Sequence, residues 1–358
     1  MSDFIVLFRS GGMSGSQMLN LVRRHFGTPL LHAGCADYSW GSIVVTQNTY
    51  PENNILQSDG EMTAWVGDLV SSDPRSLVRA LGELCTQEGS CSEEFIRTGL
   101  LSELNGGFAI VAVNRSEVMV ITDPMSFVPV YTALDADGTT VAIGTHPDLV
   151  AAISGKQSKV DFVSVAEFYN KGTSTYPNTM YSDVKSLQAA TVHSISTRTG
   201  RINWKHSYWT PPDPTPLDNA IEEDLVAELQ QTFQTAVESR CGSNRTGVSL
   251  SGGLDSRYVI ASVPNDRDCV AFTFCDYINR EALTARRVAN ALGREWIPLF
   301  RSVDYVGENI EKTIAHVGCE SDWINAHAVG FAEEIREMGV DGCLDGFFLG
   351  ILLRAQMS

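Results

Sequence analysis

A glycine-rich segment at residues 248–257, which reads VSLSGGLDSR, carries the residue types best suited to chemistry. The apolar residues before the glycines predict a strand, and a helix is expected to begin near Ser256. A short turn between a strand and a helix can point several backbone N–H groups at one anion, with the positive end of the helix behind them. The hydroxyls of Ser251 and Ser256 add donors. The segment therefore predicts a phosphate-binding turn.

Asp255 is the one carboxylate in this turn. A carboxylate beside a phosphate is repulsive unless a cation lies between them, so Asp255 predicts a Mg²⁺ that bridges it to the phosphates. The segment is not a GxxxxGK[ST] loop because no lysine follows the glycines, and it is not a dinucleotide fingerprint because the glycines are adjacent. The plain alternative is an ordinary strand-to-helix turn, which six specified residues after an apolar strand make the weaker interpretation.

The elements around this turn alternate between strands and helices. Leu225, Leu229, Phe233 and Val237 recur every four residues and predict a long helix. Strands are predicted at 246–250, 269–274 and 296–300, and helices at 280–292, 305–317 and 324–338. Such alternation is typical of a doubly wound parallel sheet.

A different texture precedes residues 210–216, which read TPPDPTP and predict the boundary between domains 1–209 and 210–358. Runs rich in valine and isoleucine predict strands at 4–8, 42–46, 63–67, 108–113, 118–122, 128–134 and 140–144. Helices are predicted at 16–26 and 74–86. This first part is therefore expected to be an antiparallel sheet structure with packed helices.

The composition excludes several classes of protein. Lys and Arg number 26 against 43 Asp and Glu, and the net charge of −17 argues against nucleic acid as a partner. No apolar stretch is long enough to span a membrane, and no export signal precedes the first domain, so we expect a cytoplasmic protein. The eight cysteines show neither CxxC nor zinc-finger spacing and are expected to be reduced thiols.

The turn resembles the SGGxDS pyrophosphate loop of the N-type ATP pyrophosphatases, and its surroundings resemble the asparagine synthetase family. The supporting segments are AFTF at 271–274 with the helix after it, LSELNGGFA at 101–109, and DPMSFVPVY at 123–131. The resemblance implies an α/β protein with an N-terminal Ntn-hydrolase-like αββα sandwich of glutaminase type. It also implies a C-terminal doubly wound parallel sheet of the adenine nucleotide α-hydrolase type, which uses ATP and Mg²⁺.

The same resemblance implies roles for individual residues. They are the pyrophosphate ligands Ser251, Gly252, Gly253 and Ser256, the adenine neighbours Leu250 and Phe274, the Mg²⁺ ligands Asp255 and Asp345, the cofactor-binding Gly346, and the catalytic Glu320 near the substrate.

The glutaminase-type domain departs from the family pattern. Glutamine-using members have a cysteine after the initiator Met, whose thiol attacks glutamine, and this chain has Ser2. The Arg-Gly-Pro-Asp segment is absent, and Val66-Gly67-Asp68 stands where the family has Asn-Gly-Glu. We therefore expect an inactive glutaminase domain, as in the β-lactam synthetases and lasso-peptide cyclases, which the chain resembles in this respect.

The resemblance also implies chain beyond Ser358, because family members continue for more than a hundred residues and carry a lysine there. Residues 344–350 read LDGFFLG and lack the usual Asp-Glu pair. We expect either a truncated chain or a naturally reduced form, with a partner chain as a possible source of the missing C-terminal region.

The expected function is an ATP-dependent amide-forming ligase of the asparagine synthetase type. It activates a small-molecule or peptide carboxylate as an acyl-adenylate, releases pyrophosphate, and joins the acyl group to an amine or ammonia. Asparagine formation is the family default. The alternative is a non-catalytic nucleotide-binding or scaffold relative.

Overall fold

The structure is a computed structural model that describes residues 3–9, 11–27, 30, 32–47, 54–58, 60–86, 97–211, 221–320 and 328–346. The chain divides into two compact units. Unit 1 comprises Met1–Pro212 and Ile314–Asp322, and unit 2 comprises Asp213–Thr313 and Trp323–Ser358. Most of the proline-rich segment that we expected to be the boundary, residues 212–216, lies outside the described residues.

Two antiparallel sheets form the centre of unit 1. Their strands are β1 (Asp3–Leu7), β2 (His32–Tyr38), β3 (Gly41–Gln47), β4 (Ile55–Ser58), β5 (Glu61–Leu69), β6 (Gly106–Val113), β7 (Glu117–Thr122), β8 (Tyr131–Leu134), β9 (Thr140–Gly144), β10 (Val184–Ser186), β11 (Thr191–Ser196) and β12 (Ile202–Ser207). The strand orders are β10-β8-β9-β1-β3-β2 and β12-β11-β7-β6-β5-β4.

The helices of unit 1 are α1 (Gly15–Phe26), α2 (Pro74–Thr86), α3 (Pro147–Ser154) and α4 (Phe162–Lys171). The first three cover the outer faces of the two sheets. Alternation along β1 shows the layering, because Phe4 packs in the core between the sheets whereas Ile5 packs against α1 and α3. Leu81 of α2 packs on the outer face of the other sheet. The expected αββα sandwich is confirmed.

Unit 2 is built on a parallel sheet. In chain order its elements are α5 (Glu222–Glu238), β13 (Thr246–Ser249), α6 (Leu254–Ser262), β14 (Cys269–Cys275), α7 (Arg280–Ala291), β15 (Glu295–Phe300), α8 (Tyr305–Val317), α9 (Ala332–Glu337) and β16 (Gly342–Leu344). The last four residues of α8 are grouped with unit 1. The strand order is β15-β14-β13-β16, and all neighbours are parallel.

Side chains from both faces of this sheet are buried against other elements. Ala271 belongs to one apolar cluster with Val259 of α6 and Ala285 of α7. Phe272 belongs to a second cluster with Tyr305 of α8. A parallel sheet that is covered on both faces is the doubly wound arrangement, and this prediction is also confirmed.

Two predicted elements need correction. The strand predicted at 128–134 begins only at Tyr131, because the Asp123 carboxylate accepts the N–H groups of Phe127 and Val128 and Pro129 has none. The described part of the helix predicted at 324–338 is a 3₁₀ turn, Val329–Phe331, followed by α9. The N–H of Gly330 donates to the Tyr305 hydroxyl at 2.9 Å instead of continuing a helix.

Two further observations concern the described residues only. None of the helices there has both the length and the apolar character needed to cross a membrane. The seven described cysteines are all free thiols.

Candidate functional site

The turn at residues 250–253 leaves the sheet at the point where its strand order reverses. The chain runs outward from β13 to β14 and β15 and then returns to the other side of β13 as β16. Open α/β sheets bind ligands in the crevice at the carboxyl ends of the strands at such a reversal. The turn that the sequence singled out therefore lies where the topology opens a crevice.

The first residue of the turn is firmly held. Leu250 is buried, its N–H donates to the Phe272 carbonyl at 2.8 Å, and its own carbonyl accepts the Thr273 hydroxyl at 2.8 Å. The indole N–H of Trp296 in turn donates to the Thr273 Oγ1 at 2.8 Å. Strands β14 and β15 thus fix the point from which the turn departs.

Glycine is required at the centre of the turn. Gly252 has φ +77°, and a Cβ there would lie 3.0 Å from the side chain of Thr284 on α7. Gly253 is the N-cap of α6, and no side chain caps that helix. The backbone is therefore exposed at the positive end of α6, as an anion site requires.

The structure brings together the two serines that the sequence predicted as donors. Their Oγ atoms lie 3.0 Å apart, and the N–H of Ser251 donates to the Ser256 Oγ at 3.2 Å. Ser251 is exposed, whereas Ser256 is buried in the first turn of α6. Asp255, in the first turn of α6, is half-buried.

The segment after β16 lies beside this turn. A Cβ on Gly346 would come within 2.9 Å of the Ser256 nitrogen and the Asp255 carbonyl carbon, so only glycine allows this approach. Asp345 precedes it and is exposed. The second predicted loop thus meets the first through backbone contact, and residues 347–350 lie outside the described part.

Arg257 and Thr284 belong to this surface but were not predicted as site residues. The Arg257 Nε–H donates to the Gly253 carbonyl at 3.1 Å, which holds a cation at the turn. Arg257 directly follows the motif, so its position was a usable signal. No local signal points to Thr284, because it reaches Gly252 only through the packing of α7 on the sheet.

Two other predicted residues lie in different settings. Phe274 is half-buried near the end of β14, with its ring 5.6 Å from that of Phe331. Burial raises the pKa of the adjacent Cys275 thiol, which is therefore neutral at neutral pH. Glu320 is grouped with unit 1, where its carboxylate accepts the Ser174 hydroxyl at 2.5 Å and the Met180 N–H at 2.9 Å. Its catalytic role stays a prediction.

In the predicted glutaminase region, Val66 and Gly67 contribute to packing. Val66 is buried in the core between the two sheets. Gly67 has φ +86° and packs directly on the backbone of Gly107. Asp68 is exposed, and Ser2 lies outside the described residues. Val66, Gly67 and Asp68 stand where Asn-Gly-Glu is expected, and none of these three residues has a side-chain amide that could donate a hydrogen bond.

Comparisons with solved structures give weak fold-level similarity. The glutamine phosphoribosylpyrophosphate amidotransferase from B. subtilis, complexed with ADP and GMP, has 10% identity over 86% of this chain and 68% of its own, with TM-score 0.38. A structure described as the allosteric regulatory enzyme of purine biosynthesis has 9% identity over 96% of this chain and 89% of its own, with TM-score 0.36. No curated protein matches the chain in sequence.

The comparison with family models concerns unit 2. Residues 228–347 match the family model described as asparagine synthase. This stretch contains strands β13 to β16, the turn at 250–253 and the Asp345–Gly346 segment. Residues 228–347 are therefore similar in sequence to asparagine synthase domains.

Proposed function

We propose that the chain is an ATP-dependent amide-forming ligase whose nucleotide site is the turn at residues 250–256. The observation that carries the proposal is the uncapped start of α6 at the sheet reversal, with Ser251 and Ser256 side by side. The asparagine synthase match over the same residues supports the reaction class.

The residues at this turn fit a pyrophosphate group with Mg²⁺. Gly252 and Gly346 keep the surface free of side chains, so phosphate oxygens can approach the backbone closely. The hydroxyls of Ser251 and Ser256 are further donors. Asp255 and Asp345 are carboxylates, the hard oxygen ligands that Mg²⁺ prefers, and Arg257 adds positive charge.

In the proposed reaction, a carboxylate oxygen of the substrate attacks the α-phosphorus of ATP and pyrophosphate leaves. An amine or ammonia then attacks the acyl carbon, AMP leaves, and an amide is formed. Mg²⁺, when bound, neutralises charge that develops on the leaving pyrophosphate. The turn would donate hydrogen bonds to the same oxygens, and Asp255 and Asp345 would hold the metal. On the family resemblance, Leu250 and Phe274 would border the adenine. We assign Glu320 to the substrate side on the family resemblance alone.

We further propose that glutamine is not the nitrogen source, because Val66 supplies core packing where a donor is needed. The measurement is glutamate release from glutamine, with and without ATP. No release above that of Ser2→Ala is expected. Release that Ser2→Ala abolishes would show an active glutaminase.

The direct test of the nucleotide site is Mg-ATP titration calorimetry with Asp255→Asn. This substitution keeps the shape and removes the charge. Loss of one charged contact weakens binding by about a hundredfold, or roughly 3 kcal/mol. Asp266→Asn, an exposed aspartate in the loop before β14, is the matched control and should leave the affinity unchanged. Equal affinity in the wild type and Asp255→Asn would contradict the assignment.

Pyrophosphate exchange with candidate carboxylates tests the chemistry. Exchange that depends on one carboxylate would support the ligase and name its substrate class. Mg-ATP binding without exchange on any carboxylate would instead support the second candidate, a nucleotide-binding or scaffold relative. The observation that favours this candidate is the single acid, Asp345, in the described segment after β16.

A further inference from the structure

A second polar cluster lies in unit 1, formed by three segments that are distant in sequence. His25 is in the last turn of α1, and His146 directly precedes α3. Asp148 is in the first turn of α3. Ala315 is near the end of α8, in the part grouped with unit 1.

The side chains of this cluster converge on one place. One nitrogen from each imidazole and one oxygen of Asp148 all lie within 4.8 Å of one another. The Nε2 atoms of His25 and His146 also approach the same carbonyl oxygen, that of Ala315, at 2.9 and 3.1 Å. The Nδ1 of His146 accepts the N–H of Leu149 at 3.5 Å, so without an ion its Nε2 carries the ring proton and donates it to this carbonyl. An ion at Nε2 would move that proton to Nδ1 in place of this long hydrogen bond. Three ligand groups thus lie around one small volume.

The surroundings hold these groups in position. His146 is 2% exposed, and its ring meets that of His25 edge-on with centroids 4.9 Å apart. The Tyr181 hydroxyl donates to Asp148 Oδ1 at 2.8 Å. Such hydrogen bonds from outer residues orient the ligands in metal sites. His25 and Asp148 are only half-buried, so an ion can enter from solvent.

The charges around the cluster favour a cation. The Cys319 thiol lies between Asp148 and Glu320 and contacts both carboxylates. Among the described residues, no lysine or arginine forms an ion pair with either acid. Half-buried carboxylates without a basic partner are stabilised by a bound divalent ion.

We propose that His25, His146 and Asp148 form a binding site for a divalent transition metal of the zinc class. Two imidazoles and one carboxylate match that class, whereas Mg²⁺ and Ca²⁺ prefer oxygen ligands alone. The ion joins the end of α1 and the start of α3 to residues 314–320. The site is separate from the proposed Mg-ATP site and does not depend on it.

The test is titration of the chelator-treated full chain with Zn²⁺ by calorimetry and with Co²⁺ by visible absorption. Excess Mg²⁺ is present throughout, so that oxygen-ligand sites such as Asp255 are filled. We expect one equivalent of Zn²⁺ to bind with a rise in Tm, and Co²⁺ to develop ligand-field absorption. His25→Gln keeps an N–H donor for the Ala315 carbonyl, and Asp148→Asn keeps the shape of the carboxyl group. Each should weaken binding at least about tenfold.

His206→Gln, on the edge strand β12, is the matched control and should bind as the wild type does. Absence of stoichiometric Zn²⁺ binding by the folded wild type would overturn the proposal. Equal affinity in His25→Gln and the wild type would overturn it as well, since the metal would be held elsewhere. Asp148→Asn keeps the test decisive if His25→Gln fails to fold.

Discussion

The turn at residues 250–256 in unit 2 and the Val66–Asp68 stretch in unit 1 were both predicted, from the resemblance, to stand where the asparagine synthetase family carries functional residues. In unit 2, Ser251 is exposed and no side chain caps α6, so the start of this helix is open. In unit 1, residues of the Val66–Asp68 stretch serve packing. Val66 lies in the core between the sheets, and Gly67 packs on the backbone of Gly107. The family resemblance therefore predicts the fold of unit 1, whereas in unit 2 it also indicates a binding site.

Alanine at the two positive-φ glycines should give the largest difference. A Cβ on Gly67 would collide with the Gly107 carbonyl oxygen, which strand pairing fixes, so Gly67→Ala should lower the free energy of unfolding by more than about 3 kcal/mol. At Gly252 the Cβ would lie 3.0 Å from the Thr284 side chain and 3.3 Å from the Ala285 nitrogen, and Gly252→Ala should cost about 1–2 kcal/mol while weakening Mg-ATP binding. Thermal unfolding and calorimetry measure both. Equal destabilisation by the two substitutions would contradict the contrast.

Asp123, which directly follows β7, and Asp255, in the first turn of α6, should also behave differently. Asp123 is fully buried and accepts the N–H groups of Met125, Phe127 and Val128 at 2.9, 3.0 and 2.9 Å. Asp123→Ala leaves those donors unsatisfied and should cost about 3 kcal/mol of stability. Asp255→Asn, in the first turn of α6, should change stability by less than about 1 kcal/mol. Chemical denaturation tests this, and a large loss at Asp255 would make that residue structural.

Local sequence patterns predicted the elements that bury one clear face. The bounds predicted for α2 and α8 agree with the structure because their apolar residues repeat with the helical period. Strands β2, β4, β10, β11 and β12 were not predicted, and the sequence HAGCADY of β2 shows no regular alternation. Each forms by pairing with a neighbouring strand, which is information from outside the segment.

Local sequence patterns likewise predicted only those site residues that are close together in the sequence. The Ser251–Ser256 turn was predictable because its groups are contiguous and the chemistry follows from residue types. The approach of Gly346 to Asp255 spans ninety-one positions and follows from the pairing of β13 with β16. The histidines of the proposed metal site lie 121 positions apart in the sequence, so no spacing rule for zinc ligands detects them.

Acid should destabilise unit 1 through His193, a buried residue on β11. Burial lowers the pKa of His193 from 6.5 to about 4. Between these two pH values the unfolded chain binds a proton that the folded chain does not. The contribution of His193 to the free energy of unfolding is therefore fully present above about pH 6.5 and is lost as the pH falls towards 4. The loss reaches about 3 kcal/mol.

Unfolding measured from pH 7 to pH 4 should therefore show a shallower decline in His193→Leu than in the wild type. His206→Leu, on the neighbouring strand β12, is the control and should keep the wild-type slope. An unchanged slope in His193→Leu would mean that other groups cause the acid sensitivity. The Mg-ATP affinity of unit 2 should be unaffected by either variant at pH 7.

The smallest expected effect concerns Asp345, which tests how complete the unit 2 site is. Asp345 is exposed and precedes Gly346, whose backbone touches Asp255 and Ser256. An exposed carboxylate shares its charge with water and holds a metal less firmly than the half-buried Asp255. Asp345→Asn should weaken Mg-ATP binding by about tenfold or less, or roughly 1.4 kcal/mol, and should leave stability unchanged. Calorimetry beside Asp255→Asn gives the comparison. A larger loss from Asp345→Asn than from Asp255→Asn would reverse the two roles and make the segment after β16 the principal metal ligand of the turn.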